Sequence, residues 1–292
     1  MEKNIIAIRQ MGETLCWTLI HQTMGIPDVK MNSDYMENRV ALLLFAKDSL
    51  PERLCATAAV RQMGGTTIYE GITGAKEWQS KESGFQRHLL PIFGYYFDCL
   101  YIYGVNLDPK EIEDSNLNFP IINTGGGWSH PIHALADIAC MLKLSKERHS
   151  IIPTAWIGDA NGTLFSLVEA SAWFPFSIKI SMPDSTGREI IQQRVKELNT
   201  PVHFVDSPEE AVENVAFVYA GKRSEKNNPV WSVTPRLIEQ ALPEAKILLS
   251  ASPIRALPVS EDLFTEGKLC LTLQAQYRLG IHKRLLHWVF SK

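Results

Sequence analysis

Four places along the chain carry residue types whose spacing could do chemistry. The first is Ser49-Leu50-Pro51-Glu52, which follows the apolar run LLLFA and leads straight into Arg53. Serine, glutamate three residues on and proline in the first turn form a capping-box pattern. The hydroxyl accepts from the third amide, and the carboxylate reaches back to the serine N–H. Pro51 removes one more backbone donor. A helix that satisfies its own terminus with a carboxylate is a poor anion site. The second place is HPIHALAD, where His130, His133 and Asp137 stand at i, i+3 and i+7 on roughly one helix face. That spacing could hold a metal, but nothing else nearby supplies another strong ligand, so no metal and no cofactor are expected. The third is the triple glycine at 125–127, which has neither a GxxxxGK[ST] nor a GxGxxG pattern and reads as backbone freedom beside the site. Ser129 next to His130 lacks a GxSxG elbow and does not read as a hydrolase triad. The fourth is Asp159-Ala160-Asn161-Gly162, read either as a turn and helix cap or as a ligand-binding asparagine.

Elements that alternate strand and helix must position these residues. VALLLFA (40–46), TTIYE (66–70), CLYIY (99–103) and PIIN (120–123) read as buried strands, with helices near 50–63 and 86–96 and another opening at Pro131. After the polar break SKERHS comes a second series: TAWIG (154–158), SIKISMP (177–183), VHFVD (202–206), VAFVYA (215–220) and AKILLSA (245–251). Helices are expected between them at about 161–174, 188–199, 207–213 and 234–242. LTLQAQYRLGIHKRLLHWVF reads as a terminal amphipathic helix. The expected class is α/β, two doubly wound parallel-sheet domains with an interdomain cleft and sites at the carboxyl ends of the strands. The aromatic run FGYYFDCLYIY reads as core and cleft wall, not as a base-stacking platform.

Composition narrows the function classes. A net charge of −3 argues against a general nucleic-acid or polybasic membrane role. No apolar stretch is long enough to span a bilayer, and the N-terminus does not read as a signal peptide. The five cysteines, Cys16, Cys55, Cys99, Cys140 and Cys270, are scattered and form no CxxC pair. They read as buried thiols of a cytoplasmic protein.

The order of the motifs resembles the aspartate/ornithine carbamoyltransferase family. LLLFAKDSLPERLCATAAVRQMGG (42–65) is similar to that family's F-x-K-x-S-T-R-T-R segment with its closing Gly-Gly. FPIINTGGGWSHPIHALADI (119–138) resembles P-V-I-N…H-P-x-Q-x-L-x-D, and WIGDANGTLFSLVEA (156–170) resembles the ornithine branch's W-x-G-D-x-N-N-V-x-x-S-L. VTPRLIEQALPEA, SASP and QAQYRL resemble the closing segments, so the likeness covers nearly the whole chain. It implies a carbamoyl-phosphate-binding-like domain at 1–135, an amino-acid-binding-like domain at 136–270, a final helix at 271–292 that returns to the first domain, and a homotrimer.

The resemblance also implies roles. Ser49 and Arg53 match phosphate-binding positions, while Leu50, Pro51 and Glu52 replace a threonine, an arginine and a threonine. Tyr103 stands where an arginine would grip phosphate and carbonyl. His130 matches the histidine aimed at the carbamoyl oxygen, His133 replaces a glutamine, and Arg278 matches the arginine of the closing helix. On the second-substrate side Asn161, Lys222 and Arg255 are the candidates, and Lys76 or Lys81 falls in the loop that the family lends to a neighbouring subunit. The expected function is therefore a transferase of this family acting on an amino-acid-like small molecule, with an altered donor or acceptor. The alternative is a non-catalytic paralogue that binds a small ligand or partners an active enzyme.

Overall fold

In a computed structural model, the structure describes residues 3–25, 34–73, 90–105, 117–145, 150–183, 186–221, 231–250, 259–264 and 266–291. The chain divides into two compact units: Met1–Ala136 with Ala275–Lys292, and Asp137–Gln274.

In the first unit, β1 (Val40–Phe45), β2 (Thr66–Glu70), β3 (Cys99–Tyr103) and β4 (Ile121–Asn123) form a parallel sheet in the order β2-β1-β3-β4. The N-terminal strand segment adds to its edge, with Ile5 N donating to Ile121 O at 2.7 Å. The first unit also holds α1 (Ile8–Met11), α2 (Glu13–Gly25), α3 (Leu50–Gln62), α4 (Leu90–Phe93) and the opening of α5 (Pro131–Leu144), whose residues from Asp137 onward belong to the second unit. Parallel strands covered on both faces read as continuous apolar runs, which is why VALLLF and CLYIY are legible.

Side chains alternate across the sheet. Leu42, Leu44, Leu100, Ile102 and Ile121 pack on one face with Phe97 and Phe119, whose rings meet edge to face at 4.7 Å. Phe45, Tyr101 and Tyr103 therefore point to the opposite face. One expectation fails: TTIYE pairs as a strand but is mostly exposed, not buried. Among the described residues it lies at the end of the sheet order, with a strand neighbour on one side.

The second unit holds β5 (Ile152–Ile157), β6 (Phe176–Ser181), β7 (Val202–Phe204), β8 (Phe217–Ala220) and β9 (Lys246–Leu249). All pair in parallel in the order β7-β6-β5-β8-β9, a doubly wound order that reverses beside β5. Between them run α6 (Gly162–Ala170), α7 (Thr186–Leu198), α8 (Pro208–Val212) and α9 (Pro235–Ile238), the last shorter than the 234–242 expected. Ala155, Ile157, Val218, Ala220, Ile247 and Leu249 bury one face against Val212, Leu237 and Ile238. The terminal helix, α10 (Leu271–Phe290), contributes its residues from Ala275 onward to the first unit. No helix among the described residues is long and apolar enough to cross a membrane. Helices α1 and α2 form where no helix was expected.

Candidate functional site

In the first unit, the carboxyl ends of β1, β3 and β4 bring the candidate residues together. Ser49 and Glu52 follow β1 at the start of α3, Tyr103 ends β3, and His130 and His133 follow β4 at the start of α5. Arg278 and His282 join them from one face of α10, four residues apart.

The capping box does not form. Ser49 is the N-cap in extended backbone and Arg53 N donates to its carbonyl at 3.1 Å, but the Ser49 hydroxyl makes no capping hydrogen bond. Glu52 turns inward, only 4% exposed, and its Oε1 accepts from His133 Nε2 at 2.8 Å. A buried carboxylate needs a partner more than an exposed helix amide does, since water can serve the amide. The long-range bond wins over the local one.

His130 and His133 stack with ring centroids 3.7 Å apart. Burial holds both imidazoles well below the usual histidine range; His133 adds to this at His130, and Arg278 and His282 add to it at His133. Both are therefore neutral at pH 7, and neutral His133 carries its proton on Nε2 to reach Glu52. His133 Nδ1 finds no hydrogen-bond partner among the described residues. Glu52, His130 and His133 each offer a ligand atom, and these lie within 4.8 Å of one another. Asp137, the third member expected from spacing, does not join them: it sits in the second unit and accepts from Gln274 Nε2 at 2.8 Å.

Tyr103 fills its corner as an aromatic wall, with its ring 6.2 Å from His130 and 5.4 Å from Phe45. Burial raises its phenol pKa, Glu52 adds to that, and a side-chain hydrogen bond with Ser49 opposes it. Arg53 lies over the Tyr69 ring, 4.8 Å from its centroid, which occupies its guanidinium. Cys55, one turn on from Glu52, has its thiol pushed up to about 12 by burial and then by Glu52, so it is no nucleophile at neutral pH.

Sequence reasoning missed the residues that support this cluster. Asn123 pins the glycine loop: its Oδ1 accepts from Gly125 N and Gly126 N, and its Nδ2 donates to Ile6 O and Ser129 O. Gly125 holds φ +141°, and a Cβ there would lie 2.6 Å from His130 Nε2 and 2.8 Å from Tyr103 Cε2. The triple glycine thus lets the backbone pass directly against the two rings. His282 packs on Tyr101 with centroids 5.6 Å apart. The four-residue step from Arg278 was the signal that could have found it.

His282 supplies a pH prediction. Burial brings its pKa from 6.5 down to about 4, with Glu52 opposing and Arg278 adding. The folded chain holds it neutral, so unfolding takes up a proton between those values. Its stabilising contribution is complete above pH 6.5 and is lost as pH falls toward 4, by about 3 kcal/mol. Urea unfolding across this window should be steeper in pH for the natural chain than for His282→Gln; equal slopes would refute the assignment.

In the second unit, Asn161 is the N-cap of α6. Its Oδ1 accepts from Thr163 N and Leu164 N at 2.9 and 3.2 Å, and its Nδ2 donates to Ser250 Oγ at 3.1 Å. The turn-and-cap reading of Asp159-Ala160-Asn161-Gly162 therefore describes it. Gln274, also unforeseen, holds the end of β9 by bonding both N and O of Leu249 as well as Asp137. Lys222, Arg255, Lys76 and Lys81 lie outside the described residues.

Comparison with known proteins agrees with this architecture. Residues 3–143 match the aspartate/ornithine carbamoyltransferase carbamoyl-P binding domain, and residues 151–289 match the Asp/Orn binding domain. An ornithine carbamoyltransferase of Nitratidesulfovibrio vulgaris is 25% identical over 305 residues, covering 100% of both chains. One of Mesorhizobium japonicum is 28% identical over 268 residues, 87% of this chain and 86% of its own. The ornithine carbamoyltransferase structure from Thermus thermophilus shares the fold at TM-score 0.84, with 19% identity and full coverage of both chains. With the two family models matching residues 3–143 and 151–289, the chain belongs to the aspartate/ornithine carbamoyltransferase family.

Proposed function

We propose that the chain is a transferase of this family that acts on an amino-acid-like substrate, with a donor or acceptor other than the family's usual pair. One observation carries the reading: Glu52, at a position where the family motif has a threonine, is a buried carboxylate bonded to His133. A phosphate dianion would have to enter beside that carboxylate, with Pro51 and Tyr103 in place of two arginines. Ser49, His130 and Arg278 are retained, so positions that bind and polarise a carbonyl survive. A neutral His130 keeps one N–H to donate to a carbonyl oxygen, which is enough to stabilise developing negative charge. The matches to a carbamoyl-P binding and an Asp/Orn binding domain support placing donor and amine on residues 1–135 and 136–270, with 271–292 as the returning helix. The same reading carries a cytoplasmic homotrimer, with Lys76 or Lys81 lent between subunits, and Asn161, Lys222 and Arg255 on the amine side.

Steady-state assays test it, pairing carbamoyl phosphate and other carbonyl donors with ornithine, aspartate and a panel of amines. Turnover is expected with some other pair and not with carbamoyl phosphate plus ornithine. A kcat/KM above roughly 10⁴ M⁻¹s⁻¹ for that usual pair would reject the proposal. Silence across every donor would favour the second reading, a non-catalytic ligand-binding paralogue. Its support is that Ser49 and Tyr103 already satisfy each other and Arg53 is held by Tyr69.

A further inference from the structure

The first unit gathers two imidazoles and a carboxylate that the family's phosphate-handling motif does not contain together. Glu52 comes from the first turn of α3, and His130 and His133 from the start of α5. From these three side chains we infer a binding site for a first-row divalent metal ion of the zinc class, formed by Glu52, His130 and His133.

The geometry supplies what such an ion needs. One ligand atom from each residue lies within 4.8 Å of the others. Around a single tetrahedral ion with bonds near 2.0–2.1 Å, ligand atoms stand about 3.3 Å apart, so rotations that tilt the stacked rings of His130 and His133 apart close the set. Glu52 and His133 are already at 2.8 Å. The ion takes the place of the proton that His133 donates to Glu52, and His133 then carries its proton on Nδ1. The donor set selects the metal: two imidazoles with one carboxylate suit zinc, cobalt, nickel or iron, whereas magnesium and calcium want oxygen.

The surroundings fix what the loaded site would bind. Arg278 reaches the cluster from α10, and Glu52 is the carboxylate among the three ligands. A dication there leaves the pocket positive, and three protein ligands leave at least one coordination position open. An anionic oxygen ligand fits that position. The ion would supply the positive charge that Pro51 and Tyr103 do not; this last step rests on the transferase reading, whereas metal binding itself does not.

The test reads metal directly, so its failure is separable from a failure of the transferase assays. The full chain is stripped with chelator, loaded with Zn²⁺ or Co²⁺, gel-filtered and analysed by metal mass spectrometry and calorimetry. One equivalent per chain is expected, with visible d–d absorption from Co²⁺ and no displacement by excess Mg²⁺. Glu52→Gln and His133→Gln should each weaken Zn²⁺ binding at least ~100-fold, while exposed His203→Gln leaves it unchanged. Should His133→Gln fail to fold, the near-isosteric Glu52→Gln chain decides alone. Absence of stoichiometric metal after gel filtration, or equal affinity in Glu52→Gln, would overturn the inference.

Discussion

Changing Pro51→Arg, Glu52→Thr and Tyr103→Arg together should raise the affinity of the metal-free chain for carbamoyl phosphate by roughly 10³–10⁴-fold. Each charge-assisted bond from arginine to phosphate contributes about 1.5–3 kcal/mol net, so two arginines and a hydroxyl amount to at least ~5 kcal/mol. Removing the Glu52 carboxylate adds to this by ending its repulsion of a dianion. Tyr103→Arg has a second effect, because Tyr103 is the side chain that engages Ser49. Its replacement frees that hydroxyl for the ligand. Glu52→Thr alone should recover only part of the gain, since the arginines would still be missing. Calorimetric titration of the triple and single variants measures both steps. A flat affinity across the series would mean that the phosphate is held elsewhere or that the cradle is not at the start of α3.

The second large effect is on stability. His133→Leu removes the hydrogen-bond partner of a carboxylate that is 4% exposed, and should destabilise the first unit by about 3–5 kcal/mol. The cost is that of an unpaired buried charge, not the worth of the pair. Glu52→Leu with His133→Leu should therefore be far milder than the sum of the two single changes, because no charge is left stranded. Urea unfolding of the two single variants and the double variant closes the cycle. If His133→Leu costs less than ~1 kcal/mol, or if the changes simply add, the pair behaves as an exposed one and Glu52 is not locked inward.

The contrast between what the residues foretold and what folds has a consistent physical basis. The strand order of the chain was legible because buried parallel strands are written as apolar runs, and LLLF, LYIY, AWI and FVYA all pair as such. TTIYE has the same β-forming composition, yet edge position leaves it exposed; composition does not encode which strand ends a sheet. Local patterns misled wherever a distant residue competed. The S-x-x-E pattern offered Glu52 a bond to the backbone three residues back, but His133, 81 residues later, takes it in a buried setting. Asp137 shares a helix face with the histidines, yet Gln274, 137 residues on, holds its carboxylate. The third member of the histidine cluster was consequently present in the sequence, read there as a helix cap at a candidate substrate-binding position. Asn161 went the other way: the local cap is what forms, because both amides it serves lie two and three residues on, in the first turn of α6.

The central claim is that an inward-turned Glu52 bars a phosphate dianion from the opening turn of α3. Titrating the unaltered, chelator-treated chain with carbamoyl phosphate and with inorganic phosphate tests it most directly. No saturable heat is expected below millimolar ligand for either. Micromolar binding of either anion, persisting unchanged in Glu52→Thr, would contradict the claim.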